Sequence, residues 1–140
     1  MKTLKALIAL SALILSGVAV AGDTPAPKNA YLYIGWPNDG EVIYSENFRV
    51  WFGLRKMGVA PAGVDKPMTG HHHLIIDAPL PPMDEEIPAD NNHIHFGHGQ
   101  TETRITLPPG KHTLQLLLAD KNHIPHNPPV VSRQITITVK

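Results

Sequence analysis

The chain has 140 residues, 12 basic and 12 acidic side chains, nine histidines and no cysteine. Disulfides, thiolate metal sites and blue-copper centres are excluded, so any metal must sit on histidine, carboxylate, methionine or backbone. The charges are scattered, which excludes the basic stripe of a nucleic-acid surface and the polybasic patch of a membrane-surface protein.

Residues 1–21 read as a secretory signal peptide. MKTLK carries two lysines, ALIALSALILSGVAV is apolar, and Ala19-Val20-Ala21 is a small-residue cleavage motif. The apolar run is short for a membrane span and no second run follows. The expected location is periplasmic or secreted. Residues 22–30, GDTPAPKNA, read as a flexible lead-in, and residues 31–140 as a single domain.

Within the domain, short strands alternate with proline- and glycine-rich punctuation. The first strand is predicted at 31–34, followed by the turn Pro37-Asn38-Asp39-Gly40 and a short edge strand at 41–44. Residues 47–54 alternate, with Val50, Phe52 and Leu54 on one face. A loop runs from Lys56 to Thr69, and the next strand is 71–77. The acidic, proline-rich stretch 78–92 is too punctuated to be a helix. Strands follow at 93–96, 101–107, 112–119 and 131–139, the last three with clear period-two alternation. About seven short strands and no helical period point to an all-β, immunoglobulin-like antiparallel β-sandwich of Greek-key topology.

Six of the nine histidines fall between Gly70 and Gly99. Successive strands run antiparallel, so the connections after 47–54, after 93–96 and after 112–119 share one end of the sandwich. That end collects His71 and His73, with His95 and His98, and with His123 and His126. Side chains two apart on a strand share a face about 7 Å apart, a span two imidazoles can close onto one ion. These six are the candidate metal ligands. His72 and His93 are weaker candidates, because His72 faces away from its two neighbours and suits a core position. His112 reads as a strand-start residue bonded to backbone. Asp84-Glu85-Glu86 reads as a solvated run, and Asp77 and Asp120 as turn caps closing strands. Met57, Met68 and Met83 suit gap-filling better than copper ligation.

The stretches GVAPAG (58–63), GHHHLIID (70–77), HIHFGHGQTE (93–102), LPPGKHTLQLLLAD (107–120) and HIPHNPPV (123–130) together resemble domain-of-unknown-function family 4399. The resemblance covers roughly residues 31–140 and implies an exported bacterial domain. It supplies no catalytic residue, cofactor or partner.

The expected function is therefore non-catalytic binding or handling of a copper or zinc ion. Imidazole suits both metals, and a nitrogen-only site favours Cu(II) with zinc close behind. The alternative is an interaction module for an envelope protein, in which a histidine network is structural or hydrogen-bonds the partner. An enzyme is not expected. Beyond the signal segment the only serines are Ser45 and Ser132, neither in a nucleophile elbow, and no HExxH helix is present. A metal site with an open position for hydrolysis would also use three histidines.

Overall fold

The computed structural model describes residues 22–140. The signal peptide expected at 1–21 lies outside the described residues. The strands are β1 (Tyr31–Trp36), β2 (Val42–Ile43), β3 (Asn47–Arg55), β4 (Gly58–Val59), β5 (Thr69–Ile76), β6 (His93–His95), β7 (Glu102–Thr106), β8 (Gly110–Ala119) and β9 (Ile135–Val139). Among the described residues no helix is long and apolar enough to cross a membrane.

Two sheets form. One has the order β1-β3-β7. The other has the order β2-β9-β8-β5-β4, with β6 also paired to β5. The chain passes from one sheet to the other between β1 and β2, β2 and β3, β3 and β4, β6 and β7, and β7 and β8. Non-sequential neighbours such as β3 and β7 are the mark of an immunoglobulin-like Greek key.

Alternation in sequence becomes a two-sided core. Leu32, Phe48, Val50, Phe52 and Ile105 from the small sheet meet Leu74, Ile76, Leu114, Leu116, Leu118, Ile137 and Val139 from the large one. Strand β5 is buried on both faces. Its inward set is His72, Leu74 and Ile76; its outward set is His71, His73 and Ile75. The outward face of β5 and β8 carries a second cluster of Ile75, Leu117 and Ala119. It is roofed by Ile87, with Ala78, Met83 and Val131 packed against it. The proline-rich stretch 78–92 is thus a cover over the sheet. It seals the outer face on which two of the histidines stand.

Several boundaries depart from expectation for local reasons. The segment 93–96 is expected as a strand that ends near one rim. It instead lies in register beside β5, with His73 opposite His95, Leu74 opposite Ile94 and Ile75 opposite His93. The first half of the expected last strand is absent. Val131 makes an isolated bridge to Leu117, the Ser132 hydroxyl accepts from the Leu116 N–H, and regular pairing starts only at Ile135. The loop 56–69 contains β4, parallel to β5. The lead-in 22–30, expected to be flexible, is tied to the body. Gly22 N–H donates to the Met83 carbonyl, Asn127 N–H donates to the Thr24 carbonyl, and the Thr24 hydroxyl donates to Asp120 at 2.6 Å. These groups satisfy loop polar atoms that would otherwise be stranded.

Candidate metal centre

Four histidines converge on the outer face of the large sheet. One ring nitrogen from each of His71, His73, His95 and His123 lies within 4.8 Å of the others. They arrive by three routes. His71 and His73 are two apart on β5, so they share a face, with ring centroids 4.8 Å apart. His95 sits directly across from His73 on β6, at 5.1 Å. His123 comes from the loop after β8, with its ring 4.7 Å from His95 and 5.0 Å from His71.

The loop that carries His123 is held by Asp120. One carboxylate oxygen accepts from the N–H of Asn122 at 2.8 Å and of Ile124 at 3.1 Å. The other accepts from Thr24. Main-chain bonds from Asp120 to the Ile124 carbonyl and from His123 to the Asp120 carbonyl close the turn. His123 takes φ 64°, a left-handed conformation that non-glycine residues adopt at some strain. Its carbonyl accepts from Ile87 N–H, which docks the loop on the cover. Gly97 leaves room for His95, since a Cβ there would stand 2.4 Å from Cε1 of that ring.

Burial favours the neutral form of three of these rings, His71, His73 and His95. Burial lowers the His73 pKa to about 2, helped by the neighbouring His71, His95 and His123. Burial likewise lowers His71 to about 4, with His95 and His123 adding to it and Asp120 opposing. His95 is lowered as well, by burial, then His123 and His98. Nitrogen lone pairs are therefore free of protons at neutral pH, which metal ligation requires. His71 Nε2 and His123 Nδ1 lie 3.1 Å apart, and His73 Nδ1 is buried with no hydrogen-bond partner. A buried polar atom without a partner is uncommon and calls for an explanation. A cavity of about 110 Å³ opens beside His73, His95 and His123, and Glu86 with Ile87, Pro88 and Ala89 completes its wall. It has room for an ion and a water molecule.

The other expected ligands lie elsewhere. His126 is fully buried and turns the opposite way. Its Nε2 is 3.1 Å from the Thr69 carbonyl, and its Cε1 fills the space a Gly70 Cβ would take, at 2.7 Å. It lies three positions after His123, beyond the turn that Asp120 closes and the Ala119–Pro125 bridge. His98 is exposed and its N–H donates to the Gln100 side chain; its ring is not among the converging four. Of the weaker candidates, His72 lies in the core against Phe52, with Nδ1 3.2 Å from the Gln100 carbonyl. His93 pairs with Asp90 at 2.8 Å. His112, at the far end of β8, is held by Asp77 at 2.6 Å and by the Pro108 carbonyl at 2.8 Å. Glu86 is the site-lining residue that sequence reasoning passed over, because an acidic loop run gives no sign of which carboxylate faces inward.

No curated protein matches the chain. A solved structure of fibronectin(III)-like modules of Clostridium thermocellum CbhA aligns at 9% identity with a TM-score of 0.36. The alignment covers 77% of this chain and 92% of that one. A family model described as Domain of unknown function (DUF4399) matches residues 50–140, which include all four converging histidines. The chain belongs to that family.

Proposed function

We propose that this domain is an exported, non-catalytic metal-binding protein that carries one copper or zinc ion on His71, His73, His95 and His123. The observation that supports the reading is the meeting of four imidazoles within 4.8 Å. A tetrahedral zinc site with Zn–N near 2.05 Å has ligand nitrogens about 3.3 Å apart, and a square-planar copper site has trans nitrogens about 4.1 Å apart. Both spans are shorter than the 4.8 Å bound here, and the Irving–Williams order places Cu(II) first. Binding would draw the rings together by an ångström or so. His95, the exposed ring of the four, has the most room to move. The donor set carries no charge of its own, so a divalent ion keeps its full charge, with Glu86 at the cavity wall to offset it. Export rests on the N-terminal sequence pattern.

Titration calorimetry of the chain, purified without a histidine tag, tests this. One equivalent of Cu(II) or Zn(II) should bind with micromolar or tighter affinity, and His73→Gln should weaken it at least tenfold. No binding tighter than about 1 mM, roughly −4 kcal/mol, would end the proposal. The 3.1 Å contact between His71 and His123 favours a second reading, in which the rings form a metal-free hydrogen-bonded network inside an envelope-interaction module. That reading requires a melting temperature insensitive to both chelator and added metal.

A further inference from the structure

The opposite side of the molecule carries a second feature, independent of the histidines. The outer face of the β1-β3-β7 sheet is uncovered, and its side chains are aromatic and cationic. Tyr31, Tyr33 and Trp51 stand on it, with Tyr31 and Trp51 about half exposed (52% and 48%). Period two places them there, because Leu32, Val50 and Phe52 point into the core.

The rings lie flat. Tyr31 and Tyr33 stack at 5.3 Å with 23° between their planes. The Tyr33 ring covers Gly53 so closely that a Cβ there would sit 2.1 Å from its Cζ. Gly35 lies beside Trp51, its virtual Cβ 3.6 Å from the Trp51 Cβ. The lack of a side chain at Gly53 thus lets Tyr33 lie against the strand, and Gly35 leaves a position without a side chain beside Trp51. Guanidinium groups stand over the aromatics, Arg55 at 5.4 Å from the Tyr33 centroid and Arg49 at 6.0 Å from the Trp51 centroid. Arg104 lies across from Arg49 and is pinned by Asn47. One carboxylate, Glu102, faces these three arginines, at 3.8 Å from Arg49.

We propose that this face binds an anionic polysaccharide built of carboxylated pyranose units. A pyranose presents a flat face of C–H bonds, which the negative face of an aromatic ring attracts. Its carboxylate lies at the ring edge, where a planar guanidinium can take it with two parallel hydrogen bonds. Arg55 and Trp51 are four residues apart on β3, about 13 Å along the strand, so the ligand is an oligomer rather than one sugar. Guanidinium groups border both the Tyr31–Tyr33 pair and Trp51, and that charge disfavours a hydrophobic protein partner. The chain has 12 basic and 12 acidic residues, so no long-range field draws in a nucleic acid. Local contacts must do the recognising.

The test is calorimetry and tryptophan fluorescence with oligogalacturonate as the probe, against a neutral cello-oligosaccharide of equal length and a single-stranded oligonucleotide. Oligogalacturonate should bind, blue-shift the emission and remain bound in EDTA. The double change Tyr31→Ala, Trp51→Ala should weaken it at least tenfold. Arg49→Gln with Arg55→Gln should remove the preference for the charged glycan. All four side chains face solvent, so circular dichroism and melting should match the parent. If truncating both aromatics unfolds the sheet, Trp51→Phe with the arginine pair still reports the same loss of preference. No binding of oligogalacturonate at millimolar concentration, unchanged binding in the aromatic variant, or tighter binding of the oligonucleotide overturns the proposal.

Discussion

Acid should destabilise the metal-free domain over a pH range where most small proteins are stable, and the buried histidines set the size of the effect. His71, His72 and His73 have folded pKa values near 4, 4 and 2, against an ordinary 6.5. Their folded values are depressed, so below pH 6.5 the unfolded chain takes up protons that the folded chain refuses. Stability therefore falls as pH drops through 6.5 and goes on falling toward the folded pKa. At pH 5 each such group costs about 1.36 kcal/mol per pH unit over 1.5 units, or about 2 kcal/mol. Three sum to about 6 kcal/mol. Rearrangement and water entry near the cavity should reduce this to about 3 kcal/mol, still a large share of a stability of ~5–15 kcal/mol. At about 4 °C per kcal/mol for a domain of this size, the melting temperature should fall by roughly 10 °C. The assay is melting by circular dichroism in EDTA from pH 7.5 to pH 5. His73→Leu should flatten the slope. A melting temperature that is level or rises over this range would show that the rings already accept protons in the fold, and the argument for neutral, ligand-ready nitrogens would fail.

Other outcomes follow from single contacts. Asp120→Ala removes the acceptor for two loop N–H groups and for Thr24, and should destabilise by about 2 kcal/mol while weakening metal binding about 10–100-fold by freeing His123, read by melting and by titration. Gly70→Ala drives a Cβ to 2.6 Å from the Ala119 carbonyl and 2.7 Å from His126, so about 1–3 kcal/mol should be lost in urea unfolding. His98→Ala and His126→Ala should each leave metal affinity within about threefold, less than about 0.7 kcal/mol, because neither ring is among the converging four. At His112 burial opposes protonation, but the bonds to Asp77 and the Pro108 carbonyl prevail and raise its pKa. Its contribution is present below the unfolded pKa and lost as pH rises through the folded value. His112→Gln should therefore destabilise the domain more at pH 5.5 than at pH 8.5.

Alternation made most of the sandwich legible. Val50, Phe52, Leu114, Leu116, Leu118, Ile135, Ile137 and Val139 face the core as their spacing requires. The shared face of His71 and His73 was readable for the same reason. Lateral pairing was not, since period two says which face a residue takes and nothing about its neighbour. The pairing of 93–95 with β5 therefore emerged only in three dimensions, although it is what sets His95 against His73. His123 and His126 looked equivalent in NHIPHN because both lie in one loop, but the bridge between Ala119 and Pro125 fixes the segment so that they part to opposite faces. The lead-in showed no pattern at all. Its attachment depends on single polar contacts with Met83, Asp120 and Asn127, which leave no periodic trace.

X-ray absorption at the metal edge, on protein loaded with one equivalent of Zn(II) or Cu(II), probes the four-imidazole centre most directly. A shell of four nitrogen scatterers near 2.0–2.1 Å, with the outer-shell scattering of imidazole rings, is the predicted spectrum, and it should lose one ring's contribution in His95→Ala. A first shell dominated by oxygen, or one unchanged by that substitution, would contradict it.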